Sequence, residues 1–186
     1  CRCIFADDAS RRRILSGWPQ AFAMVPVGPA RGADPVAEVM PVLGAVSEAA
    51  FPRNGRRIGI RMKVSGDPDE GPWQGIYEPY WHARGNGWGP VELVLGEEAP
   101  APPWRGLFLF LRFWLSEVLR YRGGLALHAA AVNRLDGAVV VVAPSEGGKT
   151  TFARAWGDGG ILGDDHAILW PATDGIDVIP SPFPGR

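Results

Sequence analysis

Apolar and polar residues alternate with a period of two in parts of residues 51–98, most clearly in Arg57–Val64. This pattern predicts strands with one buried face, and the segments 75–78 and 91–95 continue it. The stretch Pro35–Ala50 differs, because its apolar residues recur at helical spacing and predict a helix that Pro41 would kink or break. We therefore expect a small β-rich domain of the α+β type in this part of the chain.

A proline-rich segment, Glu97–Pro103, separates these strands from a strongly apolar stretch. Residues Trp104–Arg122 place their apolar side chains on one wide helical face, which predicts a helix packed on a sheet. The longest unbroken apolar run, Gly106–Leu111, ends at Arg112. It is far shorter than the roughly 20 residues that a membrane span requires, so we expect no membrane partner.

Short elements follow this helix in close succession. Leu125–Val132 and Ala138–Val142 are apolar runs, and the Asp-Gly pair between them predicts a tight antiparallel hairpin. A helical segment, Phe152–Trp156, comes next, and two further apolar runs flank a pair of aspartates. Strands that alternate with helices in this way predict an α/β core.

The loop after the second strand of the hairpin carries the clearest chemical signal. It fits the phosphate-binding pattern G-x-x-x-x-G-K-[ST], with Ala143 at the first glycine position. Adjacent glycines let backbone N–H groups turn towards phosphate oxygens, and the helix that follows presents its positive end to the anion. Lys149 would meet the β- and γ-phosphates, and the Thr150 hydroxyl can ligate Mg²⁺. The predicted nucleotide-binding residues are Ser145, Glu146, Gly147, Gly148, Lys149, Thr150 and Thr151.

Three further polar residues belong to this group. Asp164 and Asp165 stand between two apolar runs, where they form either an ordinary polar turn or part of a site. A metal-bound nucleoside triphosphate needs an acid near the threonine hydroxyl, and transfer to an alcohol benefits from a base. One aspartate could serve each task. His128 lies in the strand before the hairpin, as either a core residue or an active-site residue.

The order His-Ala-Ala, short hairpin, phosphate loop, short helix and Asp-Asp resembles the HPr kinase/phosphorylase-like proteins. That family shares its nucleotide core with the phosphoenolpyruvate carboxykinases. The resemblance covers Gly123 to about Trp170. Asp164 follows Lys149 by only 15 residues, whereas an extra strand and helix intervene in most phosphate-loop NTPases. The chain looks closer to the small HPr-kinase-related proteins of peptide-modification gene clusters than to the full bifunctional regulator.

The resemblance implies a mixed-sheet phosphate-loop core and an ATP-dependent transfer of the γ-phosphoryl group, with Mg²⁺, to a hydroxyl. The acceptor it suggests is a serine of a peptide or protein. Lys149 and His128 would then act at the transferred group, Asp164 would take the proton of the acceptor, and Asp165 would hold the metal with Thr150. The two aspartates could exchange these roles.

Some residues depart from the family pattern. Thr151 stands where the HPr enzymes tend to have Glu, which argues against phosphorylase activity. We also expect the substrate-contacting elements of the family to lie beyond Arg186. Two alternatives to a kinase stay open: a non-catalytic nucleotide-binding partner or sensor in a peptide-modification complex, and a carboxykinase or pyrophosphate-using kinase on the same core.

The composition restricts the expected partners and compartment but does not indicate a reaction. The 186 residues carry a net charge of −1, which gives no reason to expect a nucleic acid partner. Two cysteines form neither a zinc site nor a disulfide framework, so we expect a cytoplasmic protein, with homo-oligomers possible for this family. We place the two domains at 1–100 and 104–186. The end of the chain, Pro180–Gly185, is expected to be an irregular tail.

Overall fold

In a computed structural model, the structure describes residues 2–3, 6–16, 38–47, 51–52, 55–58, 61–157 and 160–183. Within these ranges the chain is a mixed α/β protein. The helices are α1 (Asp8–Leu15), α2 (Pro103–Tyr121) and α3 (Lys149–Trp156). The strands of the first half are β1 (Arg2–Cys3), β2 (Glu38–Gly44), β3 (Arg56–Ile58), β4 (Met62–Ser65), β5 (Pro72–Tyr77), β6 (Trp81–Asn86) and β7 (Val91–Gly96). Those of the second half are β8 (Leu125–Leu127), β9 (Ala129–Arg134), β10 (Gly137–Val142), β11 (Ile161–Gly163), β12 (Ala167–Ala172) and β13 (Gly175–Ile179).

The described residues up to Leu111 and those from Arg112 onward belong to two compact units. The division falls inside α2, whereas the sequence placed it in the preceding proline-rich segment. A proline-rich stretch marks a connection between elements, but α2 runs without interruption across the point of division. No described helix combines the length with the apolar character that crossing a bilayer demands.

The first unit is built on a seven-stranded sheet in the order β1-β2-β7-β6-β5-β4-β3. It is a mixed sheet, because β2 runs parallel to both β1 and β7 while the other neighbours are antiparallel. The strand predictions at 75–78 and 91–95 correspond to β5 and β7. A single strand over Arg57–Val64 is wrong, since β3 and β4 form a hairpin in which Arg57 lies opposite Lys63.

The helix predicted over Pro35–Ala50 is also wrong. Residues 35–37 and 48–50 lie outside the described ranges, and the remainder contains strand β2. Val39 and Pro41 are buried while Met40 and Val42 are 37% and 45% exposed, which is the two-residue alternation of a strand. Apolar residues on both faces of the strand produced the spacing that resembled a helix.

The second unit contains two three-stranded sheets, β10-β9-β11 and β13-β12-β8. Every pairing in both sheets is antiparallel, so the mixed sheet predicted for this core is wrong within the described residues. The Asp-Gly hairpin prediction is confirmed by the turn from β9 to β10. Strand β9 begins with three alanines, whose side chains are small, and its residues Ala129 to Val132 are all fully buried. One face of β9 packs on α3 through Ala153, and the other packs on Ala167 of β12.

Two chain segments pass from one sheet to the other at the same place, which we call the seam and which consists of His128 and residues 164–166. The first passes from β8 to β9 through His128, and the second passes from β11 to β12 through Asp164, Asp165 and His166. Leu127 pairs with Ala167 on one side of this seam, and Ala131 pairs with Gly163 on the other. The seam therefore brings four polar residues together at an interruption of the strand pairing.

Candidate functional site

The loop between β10 and α3 contains two residues in the left-handed backbone region. Glu146 and Gly148 both have positive φ, at 64° and 84°, and Gly148 is the N-cap of α3. The N–H of Gly147 donates to the carbonyl oxygen of Pro144, which closes the turn. A Cβ added at Gly148 would meet open space, whereas one at Gly147 would lie 2.9 Å from both Ala143 Cβ and Pro144 O. Gly147 therefore permits close backbone packing, and Gly148 permits the left-handed turn into the helix.

Lys149 is the first residue of α3 and is 5% exposed. Its ammonium group donates to the carbonyl oxygens of Ala143 and Pro144, over 2.7 and 2.9 Å. The loop thus wraps around its own lysine. A buried ammonium requires such partners, and incoming phosphate oxygens would be stronger acceptors at the same position.

Thr150 connects the loop to the aspartate pair. Its hydroxyl lies 3.5 Å from the backbone oxygen of Asp164, at the outer limit of a hydrogen bond. The two segments are 14 residues apart in sequence and meet because α3 and β11 both pack on β9. The structure therefore brings the predicted metal-binding hydroxyl beside the main chain of the predicted base.

Asp165 lies at the centre of a charged cluster. Its Oδ2 lies 3.2 Å from Nη1 of Arg112, and its Oδ1 lies 3.2 Å from Nδ1 of His128. The same ring nitrogen is 3.0 Å from the backbone oxygen of Asp165. The side chains of Arg112, Asp165 and His128 are 27%, 34% and 49% exposed, so solvent screens the cluster only in part.

His166 forms a buried extension of this cluster and is 4% exposed. Burial is the main cause that lowers the pKa of His166 to about 4, and the positive charge of Arg112 adds to the effect against the opposing charge of Asp165. Its Nδ1 lies 2.9 Å from Oγ of Ser181, and its ring packs edge-on against Phe183. The segment after β13 is irregular, as predicted, but Ser181 fixes it to the seam. Residues 184–186 lie outside the described ranges.

The residues at this site suit Mg²⁺ only in company with a phosphate ligand. In the part of the chain that the structure describes, no three His, Cys, Asp or Glu side chains come together as a metal site. Mg²⁺ is commonly held by one or two carboxylates together with substrate phosphates and water. A threonine hydroxyl and two neighbouring aspartates match that requirement, although both carboxylate oxygens of Asp165 already have partners on the protein.

The predicted site residues thus fall into two groups that Thr150 and Asp164 connect. Residues 145–151 form the loop and first turn of α3, and His128, Asp164 and Asp165 form the seam. Arg112 and His166 were not predicted. His166 stands next to the aspartate pair, and that position was its only signal. Arg112 is 53 residues from its partner, and its only signal was a charge that interrupts an apolar helix.

No family model, no curated protein and no solved structure matches this chain. A functional assignment therefore depends on the residues described above.

Proposed function

We propose that the second unit is an ATP-dependent phosphotransferase that moves the γ-phosphoryl group to a hydroxyl, with a serine of a peptide or protein as the acceptor. Lys149 and the backbone N–H groups of residues 145–151 would bind the phosphates. Thr150 and one aspartate would hold Mg²⁺, and the other aspartate or His128 would take the proton of the acceptor. Mg²⁺, when bound, would neutralise charge that develops on the phosphate oxygens.

One observation carries the proposal: a lysine held by its own loop lies at the start of a helix beside an acidic and imidazole cluster. The ammonium of Lys149 is buried on two loop carbonyls, and the helix that it begins carries no acidic residue in its first turn. An N-terminal helix end of this kind favours an anion. The next residue, Thr150, reaches the backbone of Asp164.

The cluster at the seam supports a reaction rather than binding alone. Phosphoryl transfer depends on positioning and charge stabilisation, together with a group that orients or deprotonates the nucleophile. Carboxylates and an imidazole supply that group, and Arg112 supplies a positive charge 3.2 Å from Asp165. A module that only binds nucleotide has no need for these residues beside its phosphate loop.

Thermal unfolding with and without Mg-ATP tests nucleotide binding. A ligand that binds only the folded state raises the midpoint by mass action, so the wild type should shift upward and Lys149→Ala should not. Arg154→Ala is the matched control, since it removes a positive charge from the last turn of the same helix. GTP and pyrophosphate, tested in parallel, separate an ATP-dependent kinase from the carboxykinase and pyrophosphate alternatives. No shift with any of the three would contradict the proposal.

A further inference from the structure

The contact between Arg112 and Asp165 links helix α2 to the seam. Arg112 lies in the middle of α2, a helix that buries six apolar side chains: Leu107, Phe108, Phe110, Phe113, Trp114 and Leu119. Its guanidinium contacts Oδ2 of Asp165, the carboxylate oxygen that does not face His128. The carboxylate is therefore held from both sides, by a permanent cation and by an imidazole. A planar guanidinium is well suited to fix a carboxylate in one orientation.

The partners of His128 determine which ring nitrogen carries the proton. Nδ1 faces two atoms of Asp165, the backbone oxygen at 3.0 Å and Oδ1 at 3.2 Å. A backbone carbonyl only accepts hydrogen bonds, and so does an ionised carboxylate beside an arginine. Nδ1 must then be the donor. In the neutral ring the lone pair is left on Nε2, and the side chain is 49% exposed.

We propose that Arg112 is a positioning residue, which holds Asp165 against His128 and so keeps His128 in the tautomer with a proton on Nδ1 and a free electron pair on Nε2. Asp165 then serves the imidazole, and Thr150 and Asp164 are left for the metal. Asp164 thereby takes the metal-binding role that the resemblance gave to Asp165, and His128 rather than an aspartate takes the role of the base.

The catalytic consequence rests on the proposed function. Nε2 accepts the proton of the acceptor hydroxyl as its oxygen attacks the γ-phosphorus. The new O–P bond forms while the bond between the γ-phosphorus and the bridging oxygen breaks, and ADP leaves with that oxygen. The imidazolium that results is stabilised by Asp165, which keeps its negative charge throughout. An aspartate that holds the correct tautomer and stabilises the imidazolium is a known means of supporting a histidine base.

The tautomer can be measured without any nucleotide. Protein labelled with ¹⁵N-histidine contains three histidines, and long-range ¹H–¹⁵N correlation at pH 8 assigns the protonated nitrogen of each, with His128→Gln used to identify its signals. We expect His128 in the wild type to carry its proton on Nδ1. Arg112→Gln should move it towards the mixture of tautomers found in free imidazole, and Arg112→Lys should restore it in part. Arg120→Gln, which removes an exposed ion pair from the same helix, should leave the spectrum unchanged.

Two spectroscopic outcomes would overturn the inference. One is a wild-type His128 that is a mixture of tautomers or carries its proton on Nε2. The other is an Nδ1–H tautomer that is lost in Asp165→Asn but unaffected by Arg112→Gln. Circular dichroism of each variant shows whether the fold is kept, and Arg112→Lys provides a folded comparison if Arg112→Gln unfolds.

Kinetics supply an independent arm, with Mg-ATP and water as the acceptor. Arg112→Gln should lower kcat by about 10–100-fold, the usual effect of removing an outer partner of a reacting group, while KM for ATP changes less than about twofold because the phosphate loop is intact. An equal loss in Arg112→Gln and Arg120→Gln would contradict a positioning role. If the wild type binds or hydrolyses no ATP, the proposed function fails while the tautomer result still decides the role of Arg112.

Discussion

The ammonium nitrogen of Lys149 lies 2.7 Å from the carbonyl oxygen of Ala143, the residue that stands at the first glycine position of the phosphate-loop pattern. The lysine thus closes the loop on itself. A charged hydrogen bond of this kind contributes about 1.5–3 kcal/mol. The same residue therefore has a structural role that is separate from its proposed role with nucleotide.

Replacing Lys149 by Met should lower the free energy of unfolding of the nucleotide-free protein by about 1.5–3 kcal/mol, because Ala143 O and Pro144 O lose a charged donor. Urea denaturation measures the change. Arg154→Met, at the other end of α3, is expected to cost less than about 0.5 kcal/mol. Equal stability of Lys149→Met and the wild type would show that water replaces the ammonium without loss.

Gly147→Ala and Gly148→Ala should each perturb the loop, but for different physical reasons. At Gly148 the space is open and only the left-handed φ of 84° opposes a side chain, which costs about 1–2 kcal/mol. At Gly147 the new Cβ would lie 2.9 Å from backbone Pro144 O, so the loop itself must move.

We therefore expect Gly147→Ala to weaken Mg-ATP binding more than Gly148→Ala does, as measured by titration calorimetry. The comparison is informative because both variants add a single methyl group. The reverse order would mean that the left-handed turn matters more to the bound loop than the close packing on Ala143.

Asp164→Asn should separate binding from turnover. The change keeps the shape of the side chain and leaves the loop contacts of Lys149 untouched, so the thermal shift with Mg-ATP should persist at reduced size. Phosphoryl transfer should fall by at least about 100-fold, whether this aspartate acts as a base or on the metal. Unchanged turnover, measured as ADP release, would show that Asp164 is neither the base nor a ligand of the metal, whereas ATP binding without turnover in the wild type would support the non-catalytic alternative.

His166 should make the stability depend on pH in mildly acidic solution. Its pKa is lowered from 6.5 to about 4 by burial, so between these values the unfolded chain binds a proton that the folded protein does not. The free energy of unfolding is then highest above pH 6.5 and falls as the pH drops towards 4, by at most about 3 kcal/mol.

Urea denaturation at intervals from pH 7 to pH 4 tests this, with His166→Asn as the comparison because its amide can replace Nδ1 in the contact with Ser181. The slope assigned to His166 should disappear in the variant. Identical slopes in the two proteins would show that other groups dominate the acid sensitivity.

Gly106 should be intolerant of alanine although it lies inside α2. Alanine usually favours a helix over glycine by about 1 kcal/mol. Here the new Cβ would lie 2.5 Å from the backbone oxygen of Tyr80 and 3.2 Å from a methyl group of Leu95. We expect Gly106→Ala to lower the thermal midpoint, since a backbone atom cannot turn aside as a side chain can. A raised midpoint would show that helix propensity outweighs the close approach.

The elements that the sequence predicted well are those set by local chemistry. The helix α2 follows its apolar face, and the β9–β10 turn follows its Asp-Gly pair. The sequence failed where both faces of a strand are apolar, as in β2, because Val39, Met40, Pro41 and Val42 conceal a two-residue alternation that only burial reveals. The direction of the strands in the second unit also depends on pairing across the sheet, which no local pattern records.

The candidate site divides in the same way. The predicted phosphate loop and the Asp-Asp pair are contiguous motifs, and their residue types are visible in the printed sequence. The contact of Arg112 with Asp165 joins residues that are 53 positions apart. The proton position on His128 follows from its contact with the backbone oxygen of Asp165. The position of a main-chain atom cannot be read from residue types.

The polar residues of the seam are not the residues that pair the strands. His128 and the segment 164–166 contribute no residue to the paired registers that hold the two sheets together. Exchanging the polar side chains at these positions is expected to alter charge and proton affinity while the paired residues of both sheets stay the same. If the proposed function holds, substitutions at this one point are expected to change the chemistry of the site while both sheets keep their strand pairing.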